Sequence, residues 1–164
     1  MKIIVMSDSH GDKETVKAVS LQSGDKYFHC GDSELAYTDP VFLEMHKVRG
    51  NCDFDADFPA KLVVPVGDKK VLTVHGHEHG VKESLTRLYY SAKENNADIV
   101  LFGHSHLYGA EMIDGVLFVN PGSTMQPRGG KKPTYAEIEW NGTVAVTFKN
   151  MDHNVVDSIS FKNF

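Results

Sequence analysis

The sequence predicts an α/β fold with mixed β-sheets, on three observations. Apolar runs alternate with helical periodicity through residues 1–102. Residues 108–161 read as β-hairpins. Five apolar runs stop in carboxylate, amide or imidazole, most with a glycine alongside. Alternation of strand and helix followed by hairpins favours this class over an all-β or all-α fold.

The elements follow in chain order. Residues 2–6 (KIIVM) are a short apolar strand. A helix is expected over about 12–22, then a strand at 26–29, a helix near 40–46 and a short strand at 47–49. Asp8 and Ser9 are also good N-caps for the first helix, which is the structural alternative for them. Strands at 61–66 and 70–74 precede a helix over 81–94, where Leu85, Leu88, Tyr89 and Ala92 fall at i, i+3, i+4, i+7. A buried strand at 98–102 follows. The hairpins carry an Asp-Gly turn in EMIDGVLFV and an Asn-Gly turn in EIEWNGTVAV. The longest irregular stretch is NPGSTMQPRGGKKP, residues 120–133, a functional or a surface loop.

The chain has 164 residues, a size that fits one domain spanning 1–164. It is 41% hydrophobic and 24% charged, with formal net charge −5, so nothing marks a protein that coats nucleic acid or lies on a membrane. No apolar run approaches a transmembrane span of about 18 residues. The apolar N-terminal stretch is too short for a signal sequence, and a cytoplasmic location is the expectation. Two cysteines, Cys30 and Cys52, form no disulfide framework and are too few for a cysteine-based zinc site.

The chemistry lies at the strand ends. IIVMSDSH ends in Asp8 and His10, YFHCGD in Asp32, KVRGNCD in Asn51, Cys52 and Asp53, VLTVHGHEHG in His75, His77 and His79, and IVLFGHSH in His104 and His106. Ligands of open α/β sheets bind just beyond the carboxyl ends of the strands. If these ends are neighbours, Asp8, His10, Asp32, Asn51, His75, His104 and His106 converge. So many buried polar groups need a charge to face, and metal ions supply it. Oxygen and imidazole donors without thiolate suit Mn²⁺, Fe²⁺, Zn²⁺, Co²⁺ or Ni²⁺. The set is too large for one ion and suits two divalent ions sharing a carboxylate.

DSHG, GD, GNCD, HG and GHSH, in this order, resemble the calcineurin-like metallophosphoesterase superfamily, above all its small bacterial and archaeal YfcE/YsnB-type phosphodiesterases. The later NPGS resembles that branch too. The resemblance implies a four-layer α/β/β/α sandwich with two mixed β-sheets. It implies that Asp8, His10 and His106 hold one ion, that Asn51, His75 and His104 hold the other, and that Asp32 bridges them, with Mn²⁺ a frequent activator. It further implies diester hydrolysis by a metal-bridging hydroxide, with Asp32, Asn51 and Cys52 as catalytic-site residues. Many members carry His after the Asn, near the leaving group. Cys52 stands there in this chain, and a thiol is the poorer acid at neutral pH.

His77 and Arg128 are candidate phosphate contacts, and His79 is a weaker one. His29 is expected to be packed or hydrogen-bonded, and His46 and His153 to be at the surface. Phosphomonoester hydrolysis at the same site and a non-catalytic scaffold of the same fold are the alternatives. HGHEH also fits an H-x-x-E-H protease motif, but Gly76 and the strand before it oppose the helix that motif needs. The expected partner is a small phosphate ester, with no stable nucleic-acid binding and no membrane. Exposed hairpin edges leave a homo-oligomer open.

Overall fold

The computed structural model describes residues 1–164. Its strands are β1 (Lys2–Met6), β2 (Lys26–His29), β3 (His46–Lys47), β4 (Lys61–Val66), β5 (Lys69–Val74), β6 (Ile99–Leu101), β7 (Gly109–Ile113), β8 (Val116–Asn120), β9 (Tyr135–Asn141), β10 (Thr143–Lys149) and β11 (Val155–Phe161). The helices are α1 (Lys13–Ser20) and α2 (Thr86–Glu94). One sheet runs β11-β10-β9-β1-β2-β3 and the other β4-β5-β6-β8-β7. Each is mixed: β1 pairs parallel with β2 and antiparallel with β9, while β8 pairs parallel with β6 and antiparallel with β7.

The period-2 alternation of side chains makes four layers from these parts. Ile3 and Val5 of β1 point inward, to meet Val71, Ile99, Leu101, Leu117 and Val119 of the other sheet. Ile4 and Met6, on the opposite face of β1, pack on Val16 and Val19 of α1. Across the molecule, Val100 and Phe118 turn away from the intersheet core to meet Leu88 and Ala92 of α2. The layers are therefore α1, sheet, sheet, α2, the predicted sandwich. Central strands buried on both faces explain why β1, β6 and β8 read as unbroken apolar runs rather than as alternating ones.

Two helices differ from the sequence reading. Residues 40–46 form only a single 3₁₀ turn, Pro40–Phe42, capped by the Asp39 carboxylate on the Val41 amide, and the chain leaves it at Leu43 with φ 50°. The strand after it is His46–Lys47, paired with β2, rather than 47–49. The helix expected over 81–94 begins only at Thr86. Gly80, at φ 59°, redirects the chain, and residues 81–85 are spent in turns before the helix settles on its sheet. Leu85 offers no side-chain cap, so nothing local extends the helix backward. The N-cap of α1 is Asp12, whose carboxylate takes the Thr15 amide and hydroxyl. Asp8 is not needed as a cap.

The hairpins divide between the sheets. β7–β8 joins one, its Asp114–Gly115 turn at φ 50° and 79° as a mirror-image two-residue turn requires, and β9–β11 joins the other. The irregular stretch after β8 carries the chain from one sheet to the other. His46 and His153 are half-buried, not surface residues: His46 stacks on Phe28 at 5.1 Å, and His153 Nδ1 pairs with the Tyr135 hydroxyl at 2.8 Å.

Candidate metal centre

The loops leaving β1, β2, β5 and β6 converge. Asp8 and Asp32 are buried, and so are His75 and His106. Six residues here adopt left-handed backbone: Asp8, His10, Asp32, Glu34, His104 and His106, with φ between 43° and 71°. Bending the chain sharply at a strand end, while keeping the side chain inward, demands this sparsely populated region. Two glycines make room. A Cβ at Gly50 would overlap the Asp32 carboxylate, and one at Gly103 would overlap the Ser7 hydroxyl and the Asp8 carboxylate.

Three imidazoles are fixed by their far nitrogens. His10 Nδ1 donates to Glu34 Oε2 at 2.8 Å, His75 Nδ1 to the Cys30 carbonyl at 2.8 Å, and His106 Nδ1 to the Gln126 carbonyl at 2.6 Å. Each ring therefore presents Nε2 as a lone pair, the arrangement that orients histidine toward a metal. The lone pairs face acceptors. Asp8 Oδ1 lies 3.1 Å from His106 Nε2, 3.8 Å from His10 Nε2 and 3.8 Å from His75 Nε2, and the His10 and His106 nitrogens are 3.4 Å apart. Asp32 Oδ2 is 3.2 Å from His75 Nε2. Asp8 Oδ1 and His75 Nε2 are buried without a hydrogen-bond partner. Acceptors gathered with no proton between them fit a bound cation. Asp8, His10 and His106 form one set with ligand atoms within 4.8 Å of each other, and Asp8, Asp32 and His75 form a second. His10, Asp32 and Cys52 make a third, so that Asp8, His10 and Asp32 each occur in two sets.

The carboxylates and the rings also shift one another's titration. Burial pulls the His75 imidazole down, but the Asp32 and Asp8 carboxylates outweigh it and raise it on balance. Burial alone would lift Asp32, yet the His75 ring and the Cys52 amide, which donates to Oδ1 at 2.8 Å, drive it well below the carboxylate range. His104 is pushed down to about 4, by burial and then by His75 and Lys82. Cys52 rises to about 11 through partial burial and the neighbouring Asp32 charge, so it keeps its proton at neutral pH.

The remaining candidates lie further out. The His104 ring is 5.1 Å from that of His75, and its amide donates to Asp8 Oδ2 at 3.1 Å. Asn51 is exposed and lines a groove of about 430 Å³ with Arg49, Phe58, His77 and Glu78. His77 sits on a 3₁₀ turn, its ring 5.4 Å from that of His75, and His79 ends the same turn. Arg128 is exposed. Its amide donates to the His106 carbonyl at 3.3 Å, and its guanidinium makes no hydrogen bond. His29 is buried, bonded to Ser9 Oγ at 2.9 Å and to the Gly31 amide at 3.1 Å, as expected of a packed histidine.

Sequence reasoning missed the residues that brace the site. Asp53 accepts the amides of Asp32, Glu34 and Gly50 at 2.9, 2.8 and 2.7 Å, tying two loops together. Glu34 anchors His10. Asn120 and Ser123 explain the NPGS segment: the Asn120 amide donates to the Gly103 carbonyl and to Ser105 Oγ, and Ser123 Oγ donates to the Asp8 carbonyl at 2.7 Å. The motifs GNCD and NPGS contained the signal, but not its meaning.

Residues 1–143 match the calcineurin-like phosphoesterase superfamily domain. The chain is 38% identical over 163 residues to a probable metallophosphoesterase, YsnB, of Bacillus subtilis (strain 168), covering 97% of this chain and 96% of the relative. A solved structure from Streptococcus pneumoniae TIGR4, described as a predicted phosphoesterase, superposes with a TM-score of 0.95 at 39% identity, covering 98% of this chain and 97% of that one. Vacuolar protein sorting-associated protein 29 of Schizosaccharomyces pombe is 30% identical over 120 residues, 73% of this chain and 62% of its own length.

Proposed function

This chain belongs to the calcineurin-like phosphoesterase superfamily, and from that premise we propose that it hydrolyses small phosphate diesters at a binuclear metal site. Asp8, His10 and His106 would hold one divalent ion and Asn51, His75 and His104 the other, with Asp32 between them. The observation that carries the reading is the meeting of Asp8 Oδ1, His10 Nε2 and His106 Nε2, all acceptors, with Asp8 Oδ1 buried and unpartnered. Divalent ions, once bound, would lower the pKa of water and neutralise charge on the phosphoryl oxygens. Mn²⁺ is the proposed activator on the family resemblance; the seven oxygen and imidazole donors suit it but do not select it over Fe²⁺, Zn²⁺, Co²⁺ or Ni²⁺.

The chain's own groups do the rest. The Nδ1 anchors hold the imidazoles rigid, so no reorganisation is needed as charge develops. The His77 ring, in the groove that Asn51 also lines, would meet a phosphoryl oxygen. Phe58 and Ala60 give that groove an apolar wall suited to an ester substituent. Cys52 lies beside Asp32 and keeps its proton, so it gives little help to a poor leaving group. Diesters are favoured over monoesters because a monoester brings a second negative charge to a site with little cationic help beyond the metals. Action in the cytoplasm, on a free small ester, is part of the proposal. No helix is long and apolar enough to cross a membrane.

The test is kcat/KM for bis(p-nitrophenyl) phosphate against p-nitrophenyl phosphate, on protein of measured metal content. About two ions per chain and a diester preference are expected. A monoester preference of about tenfold, some 1.4 kcal/mol in transition-state binding, moves the assignment to a phosphatase. The similarity to the vacuolar sorting protein supports a second reading, a binding scaffold. Protein that takes up no metal and hydrolyses neither ester favours it.

A further inference from the structure

Cys52 is the one thiol at the site, and it has no place in either ion's proposed set. We propose that it is a conditional ligand: its sulfur joins the ion beside His10 and Asp32 when that ion is thiophilic and stays out when the ion is hard. The inference rests on the metal-site reading above.

Three observations support it. Ligand atoms of His10, Asp32 and Cys52 lie within 4.8 Å of one another. Zinc bonds nitrogen at about 2.0–2.1 Å and sulfur at about 2.3 Å, so a single ion can span such a trio after a modest side-chain rotation. The Cys52 backbone is pinned in place, its amide held by Asp32 Oδ1 at 2.8 Å, while its side chain is exposed and able to turn. Finally, Asp8 Oδ1, buried and unpartnered, belongs to the adjoining set that shares His10, which marks this corner as built for a cation. In the binding step a metal–sulfur bond forms, the thiol proton leaves to solvent, and no oxidation state changes.

Thiolate favours Zn²⁺, Cd²⁺ and Co²⁺ over Mn²⁺, whose preference is oxygen. Recruiting Cys52 closes a coordination position that substrate would need, and closed sites are structural rather than catalytic. The residue would thus sort ions: a manganese-loaded site stays open, and a cadmium- or zinc-loaded site is shut.

The experiment loads metal-free wild type, Cys52→Ser and Cys52→Ala with Co²⁺ and records absorbance. A thiolate-to-cobalt charge-transfer band in the near ultraviolet is expected in wild type and absent from both variants, with visible cobalt bands kept in all three. Cys30 is buried in the intersheet core, so loss of the band on changing Cys52 assigns it. Cd²⁺ affinity should fall about tenfold or more in Cys52→Ala while Mn²⁺ affinity holds within about twofold. Visible bands without a charge-transfer band in wild type overturn the ligand assignment alone. Equal losses for Cd²⁺ and Mn²⁺ overturn the selectivity. Failure to bind cobalt at all overturns both this inference and the metal-site reading.

Discussion

Asp32 shares a set with His75 and another with His10, so on the proposed binuclear reading replacing its carboxylate should disturb both ions. Asp32→Asn is expected to lower kcat/KM more than any other single change at the site, by about 100-fold or more, with reduced metal content by elemental analysis. A variant that keeps both metals and a near-normal rate would show that Asp32 bridges nothing. His29 yields a separate pH prediction. Burial lowers its pKa from 6.5 to about 4, against the opposing pull of Asp53, Asp8 and Asp32. Between those values the unfolded chain binds a proton that the folded one refuses, so stability is lost as pH falls through that window. The His29 contribution to that loss is roughly 3 kcal/mol. His29→Gln should flatten the pH dependence of the urea midpoint between pH 7 and 4, and an unchanged slope would assign the acid sensitivity to other groups. The seven proposed ligands can be picked out in the sequence because they end apolar runs in motifs that resemble the family's. Glu34 is not legible there, and Asp53 only as the end of GNCD and not as a brace, because a carboxylate serving amides or a ring from another loop has no local spacing to betray it.

Among the elements, the crossover after β8 braces the site from outside the ligand set. Ser123 Oγ donates to the Asp8 carbonyl and accepts the amides of Met125 and Gln126, and the Gln126 carbonyl in turn holds His106. Ser123→Ala should therefore weaken metal binding about 10- to 100-fold without touching a ligand, measured by titration of the metal-free protein. Unaltered affinity would show that the loop holds its shape without the hydroxyl. The strands were readable because two-sided burial writes itself as apolar runs. The second helix was overextended because the apolar period through Leu85 continues into turns. Those turns obey the backbone at Gly80 rather than the periodicity. The helix expected near 40–46 stops after one turn because Leu43, at φ 50°, leaves the helical region.

At the scale of the whole molecule, the site joins the two sheets: Asp8 and Asp32 follow strands of one, and His75, His104 and His106 follow strands of the other. An ion bound between them ties the halves together and binds the folded state alone. Saturating metal at about 100 times its dissociation constant should add about 2.7 kcal/mol. For a chain of this size that is a rise of several degrees in Tm over chelated protein. A Tm indifferent to chelation would mean the ions stabilise nothing. The residue pattern alone gives the sandwich only in class, and the family resemblance supplies its layers, since neither periodicity nor turns say which strands share a sheet; the order β8 beside β6 and β9 beside β1 is a long-range choice. The six left-handed residues around the ligands have a last consequence. Each forgoes roughly a kilocalorie of backbone comfort that a glycine would recover in part. Selection for stability alone would thus erode this centre, and activity and robustness should trade against each other here. His104→Gly, which keeps the amide donating to Asp8, should melt higher than wild type when both are stripped of metal, and lower once both are loaded.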